Sequence, residues 1–192
     1  MDRTIHMAVG ARDGDARSHM VRGLERLRRE GVLIERVSSL WETEPVDLPP
    51  GKPVLNAALQ ARTALSPSEL LEAVRGVEEA EGRRRGAAPW RSLDLDILLV
   101  GDLTLCEPGL EIPHPRFHLR RFNLAPLAEI APGTSHPVVR RTVAELLAAC
   151  PDTSWVRPID PLWALPALHP GGLSGNMRDF PPFSSLRAPR SP

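Results

Sequence analysis

This 192-residue chain has little that would tie it to a membrane, an oxidising compartment or nucleic acid. It lacks an apolar run of membrane-spanning length, and its first residues lack the long apolar core of a signal peptide. A cytoplasmic protein with no membrane contact is expected. Its two cysteines, Cys106 and Cys150, have no metal-ligand spacing and read as thiols in a reducing environment. Basic and acidic residues number 24 each, whereas bulk nucleic-acid binding usually leaves a basic excess. Aromatic residues make up only 4% of the chain, which argues against an RNA-stacking sheet surface. What remains is an ordinary globular composition, 42% hydrophobic. The chain is long enough for one well-cored domain and short for two.

The first 150 residues differ in kind from the rest. From Pro151 on, Pro, Gly and Ser accumulate ("PIDPLWALPALHPGGLSGN", then "FPPFSSLRAPRSP") and sustained periodicity is lost. The expectation is a domain over 1–150 and a largely irregular tail over 151–192, with Trp155, Leu162 and Trp163 available to pin part of it. Within the domain, residues 4–9 read as a strand ending at Gly10. Met20, Leu24 and Leu27 then recur at helical spacing before Gly31. A β-branched run over 32–41 predicts a second strand. A loop with four prolines follows at 45–53, and a third strand over 54–63. Pro67 opens a second helix, with Leu70, Leu71, Val74 and Val77 on one face and Gly82 as its stop. A basic loop over 83–91 leads into a fourth strand over 93–100. Beyond it lie a proline-bounded loop at 113–115, a short apolar segment at 124–130 and a small helix at 143–149. The order β-α-β-β-α-β predicts an α+β fold of the ferredoxin-like kind: an antiparallel sheet with helices on one face and the other left open.

Strand alternation gives this pattern chemical content. In the fourth strand Leu93, Leu95, Ile97 and Leu99 share the face expected under the helices. Asp94 and Asp96 share the other, with Leu98 and Val100 beyond them. The two carboxylates stand roughly 7 Å apart and repel each other unless a cation lies between them. Magnesium suits such a pair, since it takes oxygen ligands and often uses one or two carboxylates plus substrate phosphates. A solvated acidic strand face is the alternative for the pair alone. In the third strand Asn56 falls on the aspartate side, where its amide can both donate and accept; satisfying a loop backbone is its ordinary use. Four arginines in the loop "RRRGAAPWR" precede the aspartates. Guanidinium groups pair phosphate oxygens bidentately, and Gly86 with its two alanines gives the loop freedom to close over a substrate. A solvated basic turn is the bland alternative. His114 stands between Pro113 and Pro115 in an extended loop. Arg120 and Phe122 follow closely, Phe122 being either core or a stacking surface for a planar ligand.

Together these segments resemble the 6-hydroxymethyl-7,8-dihydropterin pyrophosphokinase family of folate biosynthesis. The matching pieces are "AVGARDGD" at 8–15, "SSLWETEPV" at 38–46, "VLNAAL" at 54–59, "LLEAVRGVEEAEGR" at 70–83, "RSLDLDILLVG" at 91–101 and "IPHPRFHLRRFNLAPLAEIAP" at 112–132. The combination of "LDLDILL" with "IPHPR" is the specific part. The resemblance implies the ferredoxin-like fold and transfer of pyrophosphate from ATP to the pterin hydroxymethyl group, releasing AMP. It implies that Asp94 and Asp96 bind two magnesium ions bridging the ATP phosphates. Glu78, Ile97, His114 and Arg120 would lie on the ATP side. Thr43, Pro45, Val46 and Asn56 would hold the pterin edge while Phe122 stacks on its ring. Arg83 and Arg91 would neutralise charge on the transferring group. The implied partners are the small molecules ATP and hydroxymethyl-dihydropterin, with no nucleic acid, acting on a monomer. The chain departs from the family pattern at its first loop, which usually reads Gly-Ser-Asn-Leu-Gly and here reads Gly10-Ala11-Arg12-Asp13-Gly14. A non-enzymatic ligand-binding module of the same fold is the competing reading. It would need the acidic pair but not the arginines or His114.

Overall fold

A computed structural model describes residues 2–12, 14–82 and 92–164. The chain is a mixed α+β protein built on an antiparallel sheet. Its elements in order are β1 (Arg3–Ala11), α1 (Ala16–Arg29), β2 (Leu33–Val37), β3 (Leu40–Thr43), β4 (Val54–Thr63), α2 (Pro67–Ala80), β5 (Asp94–Val100), a hairpin of β6 (Leu105–Glu107) and β7 (Leu110–Ile112), a 3₁₀ turn (Phe117–Leu119), α3 (Arg121–Ile130), α4 (Val143–Ala148) and β8 (Val156–Asp160). The main sheet runs β5-β1-β4-β3-β8, with β2 also on β4, and every pairing is antiparallel.

The helices form where their sequence signals stand. Asp15 caps α1 by accepting from the Ser18 N–H, and Met20, Leu24 and Leu27 are fully buried beneath it. Ser66 and Glu69 close a capping box on α2, with Pro67 in its first turn. Gly82 ends that segment at φ +99°, a conformation glycine adopts without penalty. Both helices cover one sheet face and bury Ile5, Met7, Val9, Ala57, Leu59 and Ala61.

Four features differ from the sequence expectation. The predicted second strand is two: β2 and β3 lie end to end along β4, interrupted at Ser38, whose Oγ accepts from the Ala58 N–H. The helices are not confined to one face. Ala8, Ala58 and Leu98 project from the other side and form a second core with Phe117, Leu124, Leu127, Ile130, Val143 and Leu146. That face is apolar at one end, so α3 and α4 cover it there. Glu129 of α3 holds the cover in place, accepting from Ser39 N at 2.9 Å and from the Trp41 indole at 2.9 Å.

The alternation of β5 also breaks. Met7 faces Ile97 but His6 faces Leu99, which leaves Leu98 as an extra residue. The bulge moves Leu99 into the second core beside Leu98 and returns Val100 to the first, the reverse of strict alternation. Last, a strand that composition did not suggest forms within the segment after Pro151. β8 pairs with β3, and Trp163 is buried with its indole N–H on the Ser38 carbonyl at 2.9 Å. Trp155 and Leu162 are exposed. Among the described residues no helix is long and apolar enough to cross a membrane.

Candidate active site

The second sheet face has two territories. Under α3 it is apolar; past the start of α3 it turns polar. Gly10 pairs with Asn56 on one side and Asp94 on the other, so the three positions form one row across β4, β1 and β5. Ala8 stands between Ala58 and Asp96 in the next row. With neighbouring strands about 4.8 Å apart, Asn56 and Asp94 flank a gap of about 10 Å whose floor is the glycine. A Cβ on Gly10 would stand 2.9 Å from Asn56 Oδ1, so the close approach of this amide requires glycine.

Above this floor lies a cavity of about 330 Å³. Asn56, Asp94 and Asp96 form its base, and Thr43 with Val46, Asp47 and Leu48 forms one wall. Phe122 and Asn123, from the first turn of α3, form another. Asn56 is fixed: its Nδ2 donates to Thr43 Oγ1 at 2.7 Å, and both side chains are buried. Arg120 donates to the Asp47 carboxylate at 2.5 Å, with Arg116 3.8 Å from the same group. The loop that carries Asp47 is thereby tied to the segment after β7.

His114 is oriented by its own backbone neighbours. Its N–H donates to the Leu98 carbonyl at 3.0 Å. Its Nδ1 accepts from Arg116 N at 3.2 Å, which leaves Nε2 as the proton-bearing nitrogen of the neutral ring. Nε2 lies 4.0 Å from Asp96 Oδ1.

A second cavity, of about 360 Å³, opens on the α2 side of β5. Leu71, Val74, Leu95 and Ile97 give it an apolar wall, and the β6–β7 hairpin closes it with Leu110 and Glu111. Asp96 and His114 line both cavities.

The predicted residues divide accordingly. Thr43, Val46, Asn56, Asp94, Asp96, His114, Arg120 and Phe122 line the first cavity, and Ile97 lines the second. Arg120, expected on the nucleotide side, lines the first cavity and pairs with Asp47. Pro45 lies between Glu44 and Val46, which line the first cavity, and is itself outside the lining of both. Glu78 is also outside both. It is buried on the inner face of α2, one turn after Val74, and its carboxylate accepts from the Leu95 N–H at 3.0 Å. β5 lies at the end of the sheet, so this bond occupies a strand-edge donor. Arg83, Arg91 and Trp90 lie outside the described residues.

Sequence reasoning missed several parts of the site. Arg12, Asp47 and Arg116 line the first cavity without having been assigned there, and Glu44 of the expected pterin-side segment joins them. Support comes from further along the chain. Glu44 is bracketed by Trp155: its N–H donates to the Trp155 carbonyl at 3.0 Å, and its carboxylate accepts from the Trp155 N–H at 3.2 Å. Asp152 accepts from Arg121 N at 2.9 Å, capping α3, which has no side-chain cap of its own. Burial pushes the Asp152 carboxyl up. Hydrogen bonds from Ser154 and Arg121 and the nearby Arg120 outweigh it and hold the group below its ordinary value.

Among the described residues no group of three His, Cys, Asp or Glu side chains is placed to hold a metal ion. The donor set at the cavity floor is a pair of carboxylates. That fits magnesium, which fills its other positions with phosphate oxygens and water, and does not fit an all-protein cage of the zinc kind.

Comparison with known proteins gives a consistent picture. Residues 6–132 match the family model of 7,8-dihydro-6-hydroxymethylpterin-pyrophosphokinase (HPPK). A 2-amino-4-hydroxy-6-hydroxymethyldihydropteridine pyrophosphokinase of Aquifex aeolicus is 34% identical over 144 residues, 74% of this chain and 89% of the relative. The Bacillus subtilis protein of the same name is 38% identical over 133 residues, 68% of this chain and 79% of the relative. A mitochondrial folate synthesis bifunctional protein of Arabidopsis thaliana is 33% identical over 90% of this chain, which spans 28% of that protein. Among solved structures, Plasmodium falciparum HPPK-DHPS with pteroate superposes with a TM-score of 0.65 at 14% identity. The match covers 78% of this chain and 44% of the larger one, and it speaks to the fold alone.

Proposed function

The chain belongs to the 7,8-dihydro-6-hydroxymethylpterin-pyrophosphokinase family, and from that premise we propose how its own residues share the reaction. The enzyme is a pyrophosphokinase of folate biosynthesis that transfers a pyrophosphoryl group from ATP to hydroxymethyldihydropterin. Moving the two outer phosphates of ATP together leaves AMP.

The observation that carries the assignment of roles is that two cavities meet at Asp96 and His114. The first takes the pterin. Asn56, locked by Thr43, offers its amide to the amide-like edge of the ring, and Phe122 supplies a face for stacking. The second takes the nucleotide, with Ile97 on its apolar wall. Pro45 and Val46 belong to the pterin-side loop, and Glu78 serves the nucleotide side by fixing β5 at Leu95. Asp94 and Asp96 would hold magnesium, two ions in the full complex, and the bound metal supplies charge neutralisation on the polyphosphate. His114 presents an N–H toward Asp96, where phosphate oxygens would lie. Arg120 adds positive charge at the pterin side of the junction, and Arg83 and Arg91 add it at the transferring group. No strong general base is required, since catalysis of this kind is mostly positioning and charge stabilisation.

The wider reading follows the same line. The β1-α1-β2/β3-β4-α2-β5 core is ferredoxin-like, elaborated by α3, α4 and β8. The folded unit extends past residue 150 to include β8 and Trp163. The protein acts in the cytoplasm on small molecules, without nucleic acid, as a monomer.

The test is direct. Purified protein with ATP, magnesium and hydroxymethyl-dihydropterin releases AMP, and Asp96→Ala abolishes that release while still melting cooperatively. Release of ADP, or activity of the variant within tenfold of the parent, refutes the reading.

A further inference from the structure

We propose that Arg12 is a positioning residue for the acceptor substrate: its guanidinium holds the proline-rich loop 45–53 in the shape that makes one wall of the first cavity. This rests on the reading of that cavity as the pterin site. The loop has a physical need for such a partner. Pro45, Pro49, Pro50 and Pro53 have no N–H, so the segment cannot build a backbone ladder of its own. Among the described residues, no turn or loop backbone hydrogen bond begins or ends within 45–53. Its carbonyls need donors from elsewhere or from water.

Arg12 supplies two of them at once. Nε donates to the Lys52 carbonyl at 3.0 Å and the Nη2 group to the Pro49 carbonyl at 2.8 Å. One rigid, charged fork thus spans the turn, a geometry lysine cannot reproduce. The guanidinium sits against Gly51 so closely that a Cβ there would stand 2.6 Å from Nη2. Arg12 itself lines the first cavity, as do Val46, Asp47 and Leu48 of the loop it holds. The other attachment is the Asp47 carboxylate on Arg120. The wall is pinned at both ends, one pin coming from β1's outgoing loop and the other from the start of α3.

Arg12 lines the first cavity and is not part of the second cavity's lining, so its loss is felt by one substrate and not by both. The experiment uses the full chain and measures AMP release with each substrate varied in turn. Arg12→Ala raises the pterin KM about tenfold, because two charge-assisted hydrogen bonds are lost while the Asp47–Arg120 pin still holds the other end of the loop. The ATP KM and kcat stay within twofold, and Arg12→Lys recovers part of the loss. Gly51→Ala keeps the arginine but pushes its guanidinium off the turn and strains the loop backbone at φ +157°, so it gives a selective rise in the same KM. An unchanged pterin KM in both variants, or equal shifts in both KM values, overturns the role of Arg12. A parent protein that turns over no pterin overturns the cavity assignment, and the role of Arg12 with it.

Discussion

Replacing Gly10 by alanine tests the geometry of the site with a single methyl group. Gly10 is not among the glycines with positive φ, so the backbone of β1 accepts alanine without strain. The obstacle is lateral: the new Cβ would meet Asn56 Oδ1 at 2.9 Å, about half an ångström inside ordinary contact. The amide cannot yield freely, because its Nδ2 is bonded to Thr43 Oγ1 at 2.7 Å and both side chains are buried. Either that buried bond breaks or the amide turns away from the cavity. A buried polar group left without its partner costs about 1–3 kcal/mol. The loss falls on the group assigned to the pterin edge, so acceptor binding weakens roughly 5- to 150-fold. The assay is AMP release with pterin varied at saturating ATP, alongside urea unfolding. Gly76→Ala is the control. That glycine lies exposed in α2 with no atom near its missing Cβ, and the change adds stability of about 1 kcal/mol without touching KM. A folded Gly10→Ala enzyme with the parent pterin KM would show that the Asn56–Gly10–Asp94 row does not hold the acceptor.

Two further outcomes concern stability. His6 and His136 are almost fully buried, both ring nitrogens of His6 lack partners among the described residues, and burial lowers the affinity of both rings for a proton. His118 is lowered too, by burial and by the nearby His114. The unfolded chain therefore takes up these protons first. Stability is complete above pH ~6.5 and falls as pH drops from there, by up to about 1.4 kcal/mol per pH unit for each fully buried ring. Urea midpoints constant between pH 7.5 and 5 would contradict this; losses confined to below pH ~4.5 would point to carboxylates such as Glu81 instead. Trp163→Ala removes a fully buried indole bonded to the Ser38 carbonyl and costs about 3–5 kcal/mol. A melting temperature unchanged by it would mean that the segment after β8 adds nothing to the fold.

How much of this was legible in the residues depended on whether the signal was local. Pro67 and the Leu70, Leu71, Val74 and Val77 spacing announce α2, and the signal is local because the helix start is complete within four residues. The Asp94–Leu95–Asp96 alternation and the side on which Asn56 falls also survive, because strand parity is local until something interrupts it. The interruption at Leu98 was invisible, since Leu98, Leu99 and Val100 are all apolar and fit either face. Composition hid β8. An edge strand needs only some of its backbone groups paired, so Pro158 is tolerated opposite Trp41 in a stretch whose proline content argued for no structure. Pro126 likewise obscured α3 inside what read as a short apolar segment. The roles of Arg12, Asp47 and Asp152 depend on partners 31 to 73 residues away, which no local pattern encodes.

The pairing of β8 with β3 also has a consequence in time. Arg157 reaches back 115 residues to Glu42, and Trp155 reaches back 111 to Glu44. A ribosome emits the chain from its N-terminus, and contacts of such long separation close late. The sheet, both aspartates and α2 can all be in place while the wall at Thr43 and Glu44 still waits for its outer neighbour. The floor of the first cavity, with its two carboxylates, therefore forms before the wall that the pairing of β8 completes.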